Sequence, residues 1–502
     1  MASESYSKSR QQQLHFILFP LMAPGHMIPM VDIAKLLAQR CGGAVTILTT
    51  PVNANRFRST LSRAVSSGLK IQVLELRFPT SESGLPEGCE NIDLLPSLDM
   101  APKFLAAINS LRQEAEQVLE RLDPPPNCLI SDMGLPWTAE IALGLNIPRL
   151  VFHGTCCFSL LCNHRIMESK ILDSLESDSD RFVVPDVPDM VELTKAQVSS
   201  SSKKTPHGTP NYALMEEFKK KFLAAEKATY GVVVNSFEEL EPEYAREYRK
   251  EKQGKVWCIG PVSLYSSADD KDHAAVRGDE TAATNQDCLK WLESHEPESV
   301  VYASLGSLAR PNVEQMADMG QGLESTGRPF IWVLGRGRNL SRIEEWIATT
   351  GFEERNKEKG MVVRGWAPQI PILSHPSVGG FLTHCGWNSV LEGIAAGVPM
   401  ATWPLFAEQF CNEKLVVQVL GVGVSVGAEV PVKWGEEEEV EVLVKKDDIK
   451  RAVEKVMGEE GKEMRRKARE AGELARMAIQ ESGGSSALNL ASLIQEMSSI
   501  NM

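Results

Sequence analysis

The stretch LHFILFPLMAPGHMIPMVDIAKLLAQR, residues 14–40, joins a continuous apolar run, a glycine-containing turn and a segment with apolar residues at helical spacing. The apolar run predicts a strand that is buried on both faces, and the spacing that follows it predicts a helix. Strand–turn–helix units of this kind build parallel sheets that are covered by helices. The stretch therefore predicts an α/β fold.

The same alternation recurs along the chain. In the first half the strand-like runs after residues 14–22 are AVTILTT, KIQVLEL, CLISD, IPRLVFHG, YGVVVNSF and KVWCIGPV, and in the second half they are SVVYASLGS, FIWVLG, MVVRGW, GGFLTH and PMATWP. Residues 262–286 between the halves are polar and irregular, which is typical of a surface linker. We therefore predict two parallel-sheet domains at 1–261 and 287–485, joined by a linker at 262–286. A short amphipathic helix within 486–502 is expected to pack back on the first domain.

The bulk composition narrows the classes of function. The 502 residues are 43% hydrophobic and 24% charged, as in globular proteins of two large domains. The formal net charge of −14 disfavours nucleic acid and anionic membranes as partners. We find neither a signal-peptide layout nor an apolar stretch of the roughly 18 residues that span a bilayer. The ten scattered cysteines include no CxxC pair, which indicates reduced thiols in the cytosol.

The densest chemistry lies in residues 366–409, WAPQIPILSHPSVGGFLTHCGWNSVLEGIAAGVPMATWPLFAEQ. Its centre predicts a strand, a glycine turn and a helix that is capped by Asn388 and Ser389 and ends at Gly397. A helix N-terminus entered through glycine offers unpaired N–H groups to a phosphate. His384 can donate to the same diphosphate, and Glu392 lies one turn after Asn388, where it can accept from ribose hydroxyls.

Two further features fit a nucleotide site. Trp366 offers a flat face to a base, and the Gly306-Ser307 turn after a strand offers a second phosphate contact. Each feature alone has an ordinary structural interpretation, because strand–turn–helix units with glycine occur in every α/β protein. A lone tryptophan is more often a core residue, and a lone histidine can be satisfied in the interior.

Taken together, these residues resemble the donor-binding signature of the plant UDP-dependent family 1 glycosyltransferases, with WAPQ at its start, HCGWNS at its centre and EQ at its end. The segments HMIPMVDIAKLLA, NSFEELEP, WCIGPV, SVVYASLGS and FCNEKLV are also similar to this family, so the likeness covers most of the chain. The resemblance implies a GT-B fold, with two Rossmann-like parallel-sheet domains that face a central cleft, and a hexosyltransferase that uses a UDP-sugar donor.

The resemblance also implies a role for each donor-site residue. Trp366 and the backbone of Ala367 would hold the uracil, Gln369 and Glu392 the ribose, His384, Asn388, Ser389 and Ser307 the diphosphate, and Glu408 and Gln409 the sugar hydroxyls, with Trp387 alongside. Many members have aspartate where this chain has Glu408, so sugar selection is less fixed there. Glutamine at 409 implies UDP-glucose as the co-substrate, and its amide can both donate to and accept from sugar hydroxyls.

Two polar residues follow strands of the first half, at the sheet edge where open α/β folds bind ligands. His26 is predicted in the turn after the first strand, and Asp132 ends CLISD. A lone histidine in a turn is more often structural, but the helix N-terminus beside His26 should favour a neutral ring. The resemblance makes His26 the general base and Asp132 the carboxylate that orients it, and it implies direct displacement with inversion at the anomeric carbon.

No metal or other cofactor is expected. Glycosyltransferases of the other major fold hold a metal with Asp-x-Asp, and this chain contains Asp178-Ser179-Asp180 and Asp270-Lys271-Asp272. Neither follows a strand, so we interpret both as surface. A helix terminus and His384 would then neutralise the departing diphosphate.

Two other functions stay open at this point. A nucleotide-dependent oxidoreductase is suggested by Gly421, Gly423 and Gly427, but their spacing is not GxGxxG and they follow a helix, which indicates a helix-to-strand turn. A non-catalytic nucleotide-sugar binding protein should lack His26 or Asp132, and both are present.

The acceptor is the least determined feature. The segment VVPDVPDMVELTKAQV resembles a branch of the family that acts on flavonoids, triterpenoids, steroids and hormones, which implies a small apolar hydroxylated acceptor from plant secondary metabolism. We expect loops at 83–102 and 184–210 to form the acceptor site, and the protein to be a cytoplasmic monomer.

Overall fold

The computed structural model describes residues 14–198, 212–267, 282–335, 339–432 and 443–500. The strands of the first half are β1 (His15–Phe19), β2 (Ala44–Thr49), β3 (Ile71–Glu75), β4 (Cys128–Asp132), β5 (Arg149–Phe152), β6 (Arg181–Val183), β7 (Glu192–Thr194), β8 (Gly231–Val234) and β9 (Val256–Cys258). Seven of them form a parallel sheet in the order β3-β2-β1-β4-β5-β8-β9, and β6 and β7 form a separate antiparallel pair. Each strand of the large sheet lies within a predicted apolar run.

The second half forms a parallel sheet of its own. Its strands are β10 (Val300–Ser304), β11 (Phe330–Leu334), β12 (Gly360–Arg364), β13 (Val378–Thr383), β14 (Met400–Thr402) and β15 (Gly423–Ser425), in the order β12-β11-β10-β13-β14-β15. The central strands β10 and β13 are buried along their whole length, because helices cover both faces of the sheet. The edge strand β15 lies inside the glycine-rich segment 421–427, so this segment is a helix-to-strand connection, as predicted.

Helices connect the strands of both sheets. In the first half they are α1 (Pro24–Cys41), α2 (Pro51–Ser66), α3 (Ala101–Ser110), α4 (Arg112–Glu120), α5 (Thr138–Gly144), α6 (Cys157–Ser169), α7 (Tyr212–Ala228), α8 (Pro242–Glu251) and α9 (Val262–Ser267). In the second half they are α10 (Ala282–Glu293), α11 (Val313–Ser325), α12 (Leu340–Thr350), α13 (Phe352–Asn356), α14 (Gln369–Leu373), α15 (Trp387–Ala396), α16 (Gln409–Lys414), α17 (Lys446–Met457), α18 (Lys462–Ala478) and α19 (Ser485–Ile500). None of these helices is both long and apolar enough to cross a membrane.

Two details differ from the sequence-based expectation. The helix α1 already begins at Pro24, so His26 lies in its first turn and the prediction of a turn position was wrong. Proline at the first helical position has its φ angle preset for a helix, which explains the early start. The ends of the predicted linker 262–286 are helical in α9 and α10, while its centre at 268–281 lies outside the described residues.

In each sheet the chain first adds strands on one side of a central strand and then on the other side. The candidate site lies at these two points of reversal. In the first sheet β2 and β4 flank β1, and in the second β11 and β13 flank β10. The loops after the two central strands diverge at such a point and leave a crevice at the carboxyl edge of the sheet. His26 and Asp132 lie at the first reversal, and Ser307 and His384 lie at the second.

Apolar packing joins the two halves. One cluster of buried side chains includes Val232 of the first sheet together with Tyr302 and Trp387 of the second half. The C-terminal helix α19 buries Leu490, Leu493 and Met497 in a cluster that also contains Phe16 and Val45 of the first sheet. Both ends of the chain therefore contribute to the core of the first half.

Candidate active site

A cavity of about 330 Å³ lies between the carboxyl edges of the two sheets. It is lined by every predicted site residue except Asp132, namely His26, Ser307, Trp366, Ala367, Gln369, His384, Trp387, Asn388, Ser389, Glu392, Glu408 and Gln409. Asp132 lies behind His26 and is fully buried. The structure thus brings together residues that are up to 383 positions apart, from His26 to Gln409.

His26 and Asp132 form a hydrogen-bonded pair. The Nδ1 atom of His26 lies 2.7 Å from Oδ2 of Asp132, whose Oδ1 accepts the backbone N–H of Gly134 at 2.8 Å. Because the carboxylate can only accept, the Nδ1 atom carries the proton and Nε2 keeps its lone pair. Gly154 packs against the ring of His26, and a Cβ atom at this position would lie 3.6 Å from the ring. The ring is 29% exposed, so Nε2 can take a proton from a group in the cavity.

The protonation of His26 differs from the sequence-based expectation. Burial lowers the pKa of His26, but the charge of Asp132, its hydrogen bond and the charge of Glu408 together outweigh burial and raise this pKa above 6.5. The net shift in the pKa of His26 is therefore opposite to the one that we expected from the helix N-terminus alone. A helix dipole contributes about 0.3 to 1 kcal/mol, which is less than a close carboxylate partner can supply.

His384 is held between two glycines. A Cβ atom at Gly306 would lie 2.5 Å from the ring, and one at Gly386 would lie 2.4 Å from it. Burial lowers the pKa of His384 to about 4, and its Nδ1 atom has no hydrogen-bond partner among the described residues. The ring is therefore neutral near pH 7, and it can offer a diphosphate an N–H donor but no positive charge.

The residues expected to hold a ribose are bonded to one another. The side-chain amide of Gln369, at the start of α14, donates to Glu392 at 2.8 Å and to Ser389 at 3.2 Å. Its Oε1 atom accepts a long bond of 3.4 Å from the hydroxyl of Tyr302. These bonds fix the orientation of the carboxylate of Glu392 before any ligand binds.

The start of α15 differs from the prediction. Gly386 is the N-cap and no side chain caps the helix, so the prediction that Asn388 and Ser389 act as caps was wrong. With Asn388 as the cap the helix would begin at residue 389, but it begins two residues earlier, at Trp387, which places both residues inside its first turn. The Nδ2 atom of Asn388 donates instead to the carbonyl of Gly25, 2.6 Å away in the other half of the molecule. The far end agrees with prediction, because Gly397 is a left-handed C-cap with φ of 75°.

Two of the residues assigned to the sugar are already partly engaged. The indole N–H of Trp387 donates to the carbonyl of Asn235 at 2.7 Å, so it is not available to a ligand. The Oε1 atom of Gln409 accepts the backbone N–H groups of Leu405 and Phe406 at 2.8 and 3.1 Å. Only the Nε2 group of Gln409 is left for a sugar. We therefore expect this amide to donate a hydrogen bond to the sugar, but not to accept one as the sequence had suggested.

The remaining predicted residues have the exposure that a binding site needs. Trp366 is half-buried and Ser307 is exposed, while Ala367 is buried and offers its backbone. Burial raises the pKa of Glu408, and the charge of nearby His26 lowers it in part. Glu408 therefore lies close enough to His26 for the two side chains to influence each other's charge.

The Asp-x-Asp sequence within the described residues, Asp178-Ser179-Asp180, does not line this cavity. Asp180 accepts the backbone N–H groups of Glu176 and Ser177 at 2.9 Å each, in an exposed turn. Asp270 and Asp272 lie outside the described residues. Within the part of the chain that the structure describes, no group of three or more His, Cys, Asp or Glu side chains could hold a metal ion.

A second, larger cavity of about 1090 Å³ adjoins the first at Glu408, which lines both. Its walls come from segments 133–167 and 221–255, which the sequence did not single out. Among the described residues, neither of the predicted acceptor loops lines it, although Asp93 of the first loop lines the smaller cavity. Residues 199–210 of the second loop lie outside the described residues. The walls combine helix and turn residues that are far apart in the sequence and meet only in the folded chain.

Comparison with known proteins decides the family. A family model described as UDP-glucoronosyl and UDP-glucosyl transferase matches residues 256–463. The UDP-glycosyltransferase 73C25 of Barbarea vulgaris is 49% identical over 496 residues, which cover 98% of each chain. The chain belongs to the UDP-glycosyltransferase family.

Solved structures agree with this assignment. This glycosyltransferase is similar to UGT73P12 of Glycyrrhiza uralensis, solved with glycyrrhetinic acid 3-O-monoglucuronide, with a TM-score of 0.87, 35% identity and coverage of 97% and 96% of the two chains. It is also similar to UGT2 of Phytolacca americana, solved with UDP-2-fluoro-glucose and pterostilbene, with a TM-score of 0.73, 26% identity and coverage of 97% and 100%. The predicted GT-B fold and glycosyltransferase class are confirmed, and the oxidoreductase interpretation is excluded.

Proposed function

We propose that this enzyme is an inverting, UDP-glucose-dependent O-glucosyltransferase that acts on a hydroxyl of a small apolar plant secondary metabolite. One observation carries the proposal: a single cavity of about 330 Å³ has the His26–Asp132 pair on one wall and the nucleotide-motif residues on the other. Its volume falls in the usual range of small-ligand sites. The UDP-2-fluoro-glucose of a structural relative supports a UDP-sugar donor for this chain.

The proposed reaction is a single displacement. The Nε2 atom of His26 takes the proton of the acceptor hydroxyl as its oxygen attacks the anomeric carbon. The bond from that carbon to the diphosphate oxygen breaks, UDP leaves with the electron pair, and the configuration inverts. The carboxylate of Asp132, bonded to Nδ1, stabilises the imidazolium that forms.

The donor would lie along the second sheet. We assign the uracil to Trp366 and the backbone of Ala367, the ribose to the Gln369–Glu392 pair, and the sugar hydroxyls to Glu408 and Gln409. We assign the diphosphate to the first turn of α15, to Ser307 and to the N–H of His384. Backbone N–H groups at a helix start supply the positive potential that a departing diphosphate needs, so we propose that no metal takes part.

The acceptor would occupy the larger cavity, because this cavity meets the first one at Glu408, close to His26. Its walls include apolar residues such as Met133, Leu160 and Met167. A volume of about 1090 Å³ exceeds what a single-ring phenol needs, which favours polycyclic acceptors. The relatives solved with pterostilbene and with glycyrrhetinic acid 3-O-monoglucuronide support flavonoid-like phenols and triterpenoids as the first classes to examine.

The test is a panel of flavonoids, triterpenoids and steroids incubated with UDP-glucose and examined by mass spectrometry and NMR. We expect at least one acceptor to gain a hexose, and the new glycosidic bond to be β because the donor is an α-linked sugar phosphate. Transfer to no acceptor of the panel would contradict the proposed substrate class. An α-linked product would contradict the single displacement.

A further inference from the structure

The sequence of α1 leaves one backbone carbonyl without its helical partner. In an α-helix the carbonyl of residue 25 accepts the N–H of residue 29, and residue 29 is a proline, which has no N–H. Pro29 is buried in the second turn of α1. The carbonyl of Gly25, directly before His26, therefore lacks the helical donor that residue 29 would otherwise supply.

The other half of the molecule supplies the missing donor. The Nδ2 atom of Asn388 lies 2.6 Å from the Gly25 carbonyl. The preceding residue, Trp387, donates its indole N–H to the backbone carbonyl of Asn235 at 2.7 Å. The first turn of α15 is thus bonded to the first half at two carbonyls, and the same turn faces the cavity at the proposed diphosphate position.

We propose that Asn388 is a positioning residue for His26. Its amide bonds the carbonyl that Pro29 leaves without a helical donor, and this bond fixes the first turn of α1 relative to the donor. The proposal rests on the proposed function of His26 as the base. A primary amide has two N–H groups and one oxygen, so Asn388 can contact the diphosphate while it holds Gly25.

The two roles of Asn388 can be separated by a double-mutant cycle. In Pro29→Ala the new N–H of residue 29 can donate to the Gly25 carbonyl, so the helix supplies its own donor. We expect Asn388→Ala alone to lower kcat by about tenfold or more, because displacement of a catalytic group by 1 Å can cost up to a hundredfold. In the Pro29→Ala background the same change should lower kcat by less than about threefold. The KM for UDP-glucose should rise equally in both backgrounds, because Pro29→Ala restores no diphosphate contact.

The matched control is Pro51→Ala, which removes from the first turn of α2 an exposed proline that lines neither cavity. Asn388→Ala should lower kcat by the same factor with and without Pro51→Ala. An equal loss of kcat in the wild-type and Pro29→Ala backgrounds would overturn the proposal and leave Asn388 as a donor contact only.

A second readout does not depend on catalysis. In the unliganded protein, Asn388→Ala should lower the melting temperature more in the wild-type background than in the Pro29→Ala background, because in the latter the new N–H of residue 29 can replace the lost donor to Gly25. Equal decreases would overturn the proposed contact. If the wild-type protein transferred no sugar, the proposed function would fail and the positioning role with it, whereas coupled melting temperatures would still support the contact.

Discussion

The charge state of His26 is set by two carboxylates on different elements. Asp132 holds the Nδ1 proton at 2.7 Å, and Glu408 approaches from the second half of the molecule. The contributions that raise the pKa of His26 come first from Asp132, which the family resemblance implied as its partner. The smaller contribution of Glu408 depends on how the two halves meet, and no local pattern in the sequence encodes that distance.

The raised pKa of His26 predicts an acid limb in the pH profile. A base must be unprotonated, so kcat/KM should rise with pH through an apparent pKa above 6.5. Asp132→Asn removes a negative charge that favours the imidazolium, so the midpoint of this limb should move to lower pH while the plateau rate falls. Rate profiles between pH 5 and 9 for both proteins provide the check. An unchanged midpoint in Asp132→Asn would contradict the assignment of the limb to His26.

Because the Oε1 atom of Gln409 already accepts two backbone hydrogen bonds, the effect of an isosteric substitution of this residue can be predicted. Gln409→Glu keeps an oxygen for the N–H groups of Leu405 and Phe406 but replaces the Nε2 donor that we assign to the sugar. We expect kcat/KM for UDP-glucose to fall by the equivalent of about 1 to 3 kcal/mol, with the Kd of UDP nearly unchanged. Steady-state kinetics and calorimetry measure the two quantities. A wild-type enzyme that prefers UDP-galactose or UDP-glucuronate would refute the assignment to glucose.

At the scale of elements, the sequence predicted strands better than helix starts. The runs around β1, β10 and β13 are apolar throughout, because both faces of these strands are buried, and this pattern is local. The prediction of where α15 begins was wrong, because the polar side chains that resembled caps have long-range partners instead. The carbonyl that Asn388 bonds lies 363 positions earlier in the chain, so the competing partner is invisible in the local sequence.

The packing of the β13–α15 turn predicts that Gly386 is essential for donor binding. In Gly386→Ala the new Cβ would lie 2.4 Å from Nε2 of His384, so the ring has to move. We expect the Kd of UDP to rise at least about tenfold, which corresponds to the loss of one or two hydrogen bonds. The control is Gly144→Ala, where a Cβ meets no atom within 4 Å. Unchanged UDP affinity in Gly386→Ala would remove His384 from the donor site.

The N-terminus of α15 also leads us to predict that turnover does not require a divalent metal ion. Its N-terminus and the neutral ring of His384 offer N–H donors at the position that we assign to the diphosphate. Turnover in the presence of EDTA should therefore equal turnover in its absence. A loss of activity on chelation that magnesium or manganese restores would show that the N–H groups of α15 do not suffice.

At the scale of the whole molecule, we propose that the reaction is divided between the two halves. The proposed base lies at the strand reversal of the first sheet, and the proposed donor residues lie at the reversal of the second. The family signature identified, from sequence, most of the residues on the second-half wall of the smaller cavity, to which we assign the donor. The walls of the larger cavity, where we propose that the acceptor binds, could not be predicted, because residues of segments 133–167 and 221–255 meet only in the folded chain.

This division makes His26→Ala the most direct test of the account. The donor contacts that we assign lie almost wholly in the second half, so the Kd of UDP-glucose should stay within about twofold of wild type. Turnover should fall by about a hundred- to ten-thousand-fold, the usual contribution of a positioned base. Acidic phenols, which are partly ionised already, should be the acceptors least affected. Near wild-type turnover of an aliphatic alcohol by His26→Ala, measured alongside unchanged donor affinity, would contradict the central claim that His26 activates the acceptor.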